Sequence, residues 1–208
     1  IEGPGGLRLQ DLSLARREGV RGIGAGEWLL NQGHSLPDAP NQIVASGESG
    51  FVMSLSHREF WLLQPGSEAL TGRPASEAVA AGVWPLYCQY SHAWLQLAGE
   101  TRAEVMAKLC GVDLSEAAFP LGSVAQTQAA RVSVIIAAPC IDAMNIDTAQ
   151  RLTLCIAPRG VHRCARVHSH APRIRLSQQR YVVRCVTKVS TALTESPASA
   201  AVSAVNQA

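Results

Sequence analysis

Between residues 94 and 136 the hydrophobic period changes three times. Trp94, Leu95 and Leu97 make a short apolar run closed by Gly99, which predicts a strand. Thr101 then stands at the start of a predicted helix, on which Ala103, Val105, Met106, Leu109 and Cys110 recur at helical spacing, and Gly111 supplies a stop. Residues 113–119 fit a second short helical turn, Pro120 and Gly122 break it, and residues 129–136 alternate as a β-branched strand. The order is strand, helix, turn, strand.

Upstream, turn chemistry sets the punctuation. Gly22 to Gly26 leads into a short helix carrying Trp28, Leu29 and Leu30, and the Pro37 and Pro40 region reads as a loop. Residues 42–46 and 51–55 are predicted strands flanking Gly47-Glu48-Ser49-Gly50, a connection that suits a hairpin, and residues 60–63 continue the sheet. Residues 68–81 are compatible with a helix despite Gly72 and Pro74, and residues 84–94 form a further strand region. Strands with helices between them predict an α+β fold, a mixed or antiparallel sheet with packed helices.

Several of these boundary residues occur in a recognisable order. They are Leu97-x-Gly99, Ala103, Leu109-Cys110, Val112-Asp113-Leu114, Phe119-Pro120-x-Gly122 and Ala125-Gln126-Thr127 before the last strand. Upstream stand Gly22-Ile23-Gly24-Ala25, Glu27-Trp28-Leu29, Pro40-Asn41-Gln42 and Glu59-Phe60-Trp61-Leu62-Leu63. Over about residues 12–136 this pattern resembles the gamma subunit family of heterotetrameric sarcosine oxidase, related to the glycine-cleavage T-protein and other folate-binding aminomethyltransferases.

The resemblance implies an aminomethyltransferase-like fold and a non-catalytic gamma-type subunit in a complex that demethylates sarcosine oxidatively, within one-carbon metabolism. Alpha, beta and delta subunits are then the partners. Tetrahydrofolate, FAD, FMN and NAD belong to the complex, none of them bound by this chain alone. The matching residues are structural, so they assign no catalytic residue, no metal ligand and no cofactor-binding residue. Two other readings stay open, a standalone folate-binding aminomethyltransferase-like protein and an RNA-binding protein with a basic tail.

Composition narrows the class. With 208 residues, 47% of them hydrophobic, the chain can bury a core as one domain or two small ones. No apolar run approaches the ~20 residues that span a bilayer, and the start shows no basic segment before an apolar stretch, so the expectation is a cytoplasmic protein with no membrane contact. The six cysteines have no CxxC spacing, and thiols are expected instead of disulfides. The net charge of +2 conceals an imbalance. Residues 151–208 carry half of the 18 Lys and Arg but a single acid of the 16, Glu195. With the family pattern ending nearby, this predicts a unit over 1–139, with a possible subdivision near 75–85, and a basic, irregular segment over 140–208. Acids nearly vanish there while Arg, Cys, His and Ser rise together, as in a GC-rich coding sequence translated out of frame, and residues 191–208 read as disordered.

Each candidate for chemistry has a plainer competitor. Gly22-x-Gly24-x-Gly26 departs from the dinucleotide fingerprint at its third glycine and follows polar residues 16–19, which favours a glycine-rich helix entry over a phosphate loop. Cys110 lies on an apolar stripe, as a buried structural thiol does. Asp113 suits a cap better than a general base. His162, Cys164, His168 and His170 match no zinc-site spacing, so no metal is expected. The arginines from Arg159 to Arg184 have one aromatic, Tyr181, to support base stacking, and no nucleic-acid partner is expected.

Overall fold

The computed structural model of the chain describes residues 6–47, 50–68, 78–86, 88–89, 91–139 and 151–156. The described strands pair into two five-stranded sheets. The first has the order β1 (Arg8–Asp11), β7 (Ala93–Ala98), β10 (Arg151–Ile156), β9 (Val132–Ala137) and β8 (Val124–Ala129). The second runs β3 (Gln42–Ser46), β4 (Gly50–Ser56), β5 (Glu59–Glu68), β2 (Ala15–Arg21) and β6 (Trp84–Leu86). Every pairing between these strands is antiparallel. Two short helices complete the described structure, α1 (Ala25–Asn31) and α2 (Arg102–Ala107).

Alternation along the strands sorts the core into three layers. Ile43, Phe51, Met53, Trp61, Leu63, Trp94, Ile135 and Ala137 meet between the sheets. On the outer face of the first sheet, Leu95, Leu97, Val134, Ile136 and Leu152 bury Val105 and Met106 of α2. On the outer face of the second, Val20, Val52 and Phe60 bury Ala25 and Leu29 of α1. The result is four layers, helix, sheet, sheet, helix, each strand face filled by every second residue. The fold is therefore dominated by antiparallel sheet, and the expected α+β description holds only in that two small helices pack on it.

The sheets are joined along one edge. Ile43 N–H donates to the Gly122 carbonyl at 2.9 Å and Val124 N–H to the Asn41 carbonyl at 2.9 Å. Gln126 Nε2 reaches Asn41 Oδ1 and the Leu55 carbonyl, both at 2.8 Å. Asn41 adopts φ 60°, a left-handed conformation that asparagine tolerates better than most residues.

Several sequence expectations need correction. α2 ends at Ala107, before Leu109, Cys110 and Gly111, and Thr101 occupies its N-cap without a side-chain bond. Residues 113–119 do hold the expected single turn, with Phe119 N–H donating to the Ser115 carbonyl at 2.8 Å, but it is confined to residues 115–119. The predicted strand over 129–136 is two strands, because Ala130 and Arg131, at φ 49° and 64°, make the two-residue turn between β8 and β9. Both φ values are positive, as a primed hairpin turn requires, and neither residue is the usual Asn or Gly. This is why the turn was invisible in the sequence. The strand region over 84–94 is split into β6 and the start of β7, which lie in different sheets. Glu68 closes β5 and residues 80 and 83 pair in a tight turn, so the described ends of the expected 68–81 helix are not helical, while 69–77 lie outside the described residues. Finally, the sheet does not stop at 139. β10 lies between β7 and β9, with Leu152 2% exposed, beyond the composition shift.

Candidate functional site

The strongest concentration of polar chemistry in the described structure lies where the chain crosses between the sheets. β2 alternates so that Ala15, Arg17 and Gly19 face the inter-sheet layer. Arg17 is 2% exposed. Its Nη2 donates to the carbonyls of Gln89 and His92, both at 2.7 Å, and its guanidinium lies 5.7 Å from the centre of the Trp94 ring. The Gln89 amide completes the clasp from the other side. Its Oε1 accepts from Arg17 N–H at 2.8 Å, and Nε2 donates to the carbonyls of Ala15 at 2.9 Å and Ser13 at 3.2 Å. Ser13 Oγ in turn accepts from Trp94 N–H at 3.0 Å.

His92 closes the cluster. Its ring meets Trp61 edge-on, 4.8 Å between centres, and Trp61 Nε1 donates to Glu59 Oε1 at 3.2 Å. Burial, and secondarily the Arg17 charge, lower the His92 pKa from 6.5 to about 4. The ring is thus neutral at physiological pH. Ser91 Oγ lies 2.8 Å from His92 Nδ1 and donates to the Cys88 carbonyl at 3.1 Å. The Ser91 hydroxyl thus has two acceptors within reach, the Cys88 carbonyl and His92 Nδ1, and the Ser91–His92 pair with Cys88 reads as a brace for the crossover.

The candidates singled out in the sequence are not brought together here. Gly22, Gly24 and Gly26 do enter α1, and a strand, β2, precedes them after all, the polar look of residues 16–19 reflecting alternation. Packing demands glycine at Gly22 and leaves little room at Gly24, whereas Gly26 has space for a Cβ at ordinary contact distance. A Cβ on Gly22, at φ +145°, would lie 1.8 Å from the Gly82 carbonyl oxygen, one on Gly24 3.3 Å from that of Ala81, and one on Gly26 3.6 Å from the Phe60 ring. Cys110 is a free, buried thiol in the apolar layer under α2, its Sγ 3.8 Å from the Val112 carbonyl. The first sheet separates it from His92, and His57 sits exposed in the turn between β4 and β5. Asp113 accepts from Ser115 N–H at 2.9 Å, and this bond, then the Ser115 hydroxyl, lowers its pKa, as expected of a turn-capping aspartate. His162, Cys164, His168, His170 and the arginines beyond Arg151 lie outside the described residues. Among the described residues no group of three or more His, Cys, Asp or Glu could hold a metal ion, and no helix is long and apolar enough to cross a membrane.

The cluster of Arg17, Gln89, His92 and Trp94 was missed in the sequence reading. Arg16 and Arg17 stand side by side in a polar run, and nothing local says which is buried. A weak signal existed in the two-residue period that joins Arg17 to Ala15 and Gly19.

No protein-family model matches the chain, and no curated protein matches it. Solved structures do. Over 74% of this chain and 77% of the other, at 19% identity and a TM-score of 0.54, it is similar to a chain of the heterotetrameric sarcosine oxidase from Corynebacterium sp. U-96, solved in complex with pyrrole 2-carboxylate. It is also similar, at 18% identity and a TM-score of 0.45, to the glycine cleavage system aminomethyltransferase T from Bartonella henselae, spanning 76% of this chain but 43% of that one. The chain thus shares the fold of a sarcosine oxidase chain.

Proposed function

We propose that this chain is a non-catalytic, gamma-type subunit of a sarcosine oxidase-like complex, stabilising larger subunits that carry the chemistry. The observation that supports this reading best is the fold likeness to a chain of a heterotetrameric sarcosine oxidase over about three quarters of both chains, 74% and 77%. Such balanced coverage means that the matched chain is of comparable length, as a small subunit is. The boundary residues over 12–136 point the same way. So does the internal chemistry, because Arg17, Gln89 and His92 are engaged in fastening a crossover. On this reading alpha, beta and delta subunits are the partners, and tetrahydrofolate, FAD, FMN and NAD are held by the assembly.

Co-expression of the tagged chain with neighbouring genes for large flavoprotein subunits tests the proposal. The expected result is stoichiometric co-purification of a yellow complex that consumes oxygen with sarcosine, while the chain purified alone is colourless. Tetrahydrofolate binding by the isolated chain, without co-purification, would replace this reading with the standalone one-carbon protein. RNA retention that disappears on removal of residues 157–208 would favour the RNA-binding reading. That truncation must begin after β10, since a cut at 140 would take a central strand from the first sheet.

A further inference from the structure

Six large hydrophobic side chains among the described residues are exposed, and three of them share one corner of the second sheet. Ile23 is 80% exposed, Trp84 54% and Val79 44%. The turn over residues 79–83 brings them together. Val79 N–H donates to the Val83 carbonyl at 3.0 Å, Trp84 follows as the first residue of β6, and Ile23 Cγ2 lies 3.2 Å from where a Cβ on Gly82 would stand. Leu14 and Leu121 lie elsewhere. The first is in the turn at the opposite end of β2, and the second precedes Gly122, which binds β3 on the far edge of the same sheet. Single exposed apolar residues are ordinary, so it is the clustering that carries meaning.

A row of register partners crosses the same corner, Trp84 on β6, Arg21 on β2 and Glu59 on β5. Directly paired residues of antiparallel strands share a face, which sets Arg21 beside Trp84. The Arg21 side chain is 63% exposed, and its one partner among the described residues is Glu59 Oε2 at 3.8 Å, beyond hydrogen-bond reach. Glu59 is itself engaged, its Oε1 accepting from Trp61 Nε1 at 3.2 Å. By contrast Arg16–Glu18 and Arg102–Glu116 are closed, at 2.7 Å and 3.0 Å. Arg21 therefore presents its guanidinium fork to solvent at the border of an apolar surface.

We infer that a larger subunit of the assembly docks on this corner, an apolar segment of that subunit seating on Ile23, Val79 and Trp84 while a carboxylate beside it pairs with Arg21. The inference rests on the proposed assembly role and adds the face and the chemistry of the partner. Charge selects the occupant. A guanidinium covered by an apolar contact loses its water, and a bidentate carboxylate offsets that loss. A second copy does not supply one. An isologous contact presents the same patch twice and brings the Arg21 guanidiniums of both copies into one interface, while Glu59, the carboxylate in the row, is already tied to Trp61. Strand addition is not the mode either, because β6 ends the second sheet in three residues and Pro85 in their middle has no N–H to donate. The contact is made by side chains, with a tryptophan and an arginine in it, two of the residue types enriched where interface binding energy concentrates.

The test uses the co-expressed assembly with its large flavoprotein subunits. Recovery of those subunits with the tagged chain should fall by about tenfold or more for Ile23→Asp, Trp84→Ala and Arg21→Glu. Leu14→Asp and Leu121→Asp, which put a charge on exposed apolar residues away from the corner, should recover them as the native chain does. Native recovery that Ile23→Asp and Trp84→Ala leave unchanged overturns the surface and leaves the assembly role standing. No recovery with the native chain ends the assembly role, and the surface with it. A native chain that dimerises, and becomes monomeric in Ile23→Asp, gives the face to a second copy and also overturns the proposal. Should the variants fail to fold, hydroxyl-radical oxidation of the native chain decides. Ile23 and Trp84 must be protected in the complex relative to the free chain while Leu14 is not, and equal oxidation of Trp84 in both states defeats the inference.

Discussion

The first sheet is buried on both faces, in two different ways. Its outer face, under α2, is filled by Leu95, Leu97, Val134, Ile136, Val105 and Met106, with Arg102 of α2 paired to an exposed Glu116 at 3.0 Å. Its inner face is apolar along β9 but ends at Trp94 against Arg17, Gln89 and His92. An apolar layer tolerates repacking, because dispersion and transfer terms depend on volume and have little direction. A buried polar cluster does not, because each donor removed leaves an acceptor unpaired away from water. The inner layer should therefore fail steeply and the outer layer gradually.

The largest effect expected is from Arg17→Met. Volume is roughly kept, yet the carbonyls of Gln89 and His92 lose their donor, so a loss of about 4 kcal/mol is expected by chemical denaturation. A cost below that of a single core methyl group would break the comparison.

Acid should act on the inner layer next. Unfolded His92 titrates near 6.5 and folded His92 near 4, so between those values the unfolded chain binds more protons. Stability from this group is whole above pH 6.5 and declines by about 3 kcal/mol as pH falls toward 4. Denaturation midpoints for the native chain and His92→Gln should converge over that window, and parallel curves would mean that the ring is not buried neutral.

The outer layer gives the graded control. Met106, 1% exposed, should cost about 3 kcal/mol on truncation to Ala, whereas Leu109, half-buried beyond the end of α2, should cost about 1 kcal/mol. Glu104→Ala, on the exposed face of α2, should be neutral within about 0.5 kcal/mol. Equal costs for the three would mean that α2 does not dock through Val105 and Met106.

One small effect has the opposite sign. Ala130 holds φ 49° while its N–H donates to the Leu109 carbonyl at 2.8 Å, tying the hairpin turn to the end of the α2 segment. Ala130→Gly keeps that bond and relieves the left-handed backbone, so a gain of under about 1 kcal/mol is expected in thermal unfolding. A loss would show that the turn is not strained.

The sequence by itself determined where apolar faces exist. The periods of residues 94–97, 132–136 and 51–55 specified strands, and Val105 and Met106 a docking helix, because a side chain's face follows from its position along regular backbone. The same pattern supplied the family resemblance, which rests on boundary residues such as Gly22 and Gly122 that turns and close approaches demand. Tertiary structure alone decided the rest. Which of Arg16 and Arg17 is buried depends on a partner sheet that arrives from residues 93–98, and the clasp around it joins groups more than seventy positions apart. Membership of β10 in the first sheet was likewise hidden, since its short apolar run sits in a basic, acid-poor stretch and gains its place through hydrogen bonds to β7 and β9. Local chemistry fixes what a residue can do, and the pairing of distant strands fixes what surrounds it.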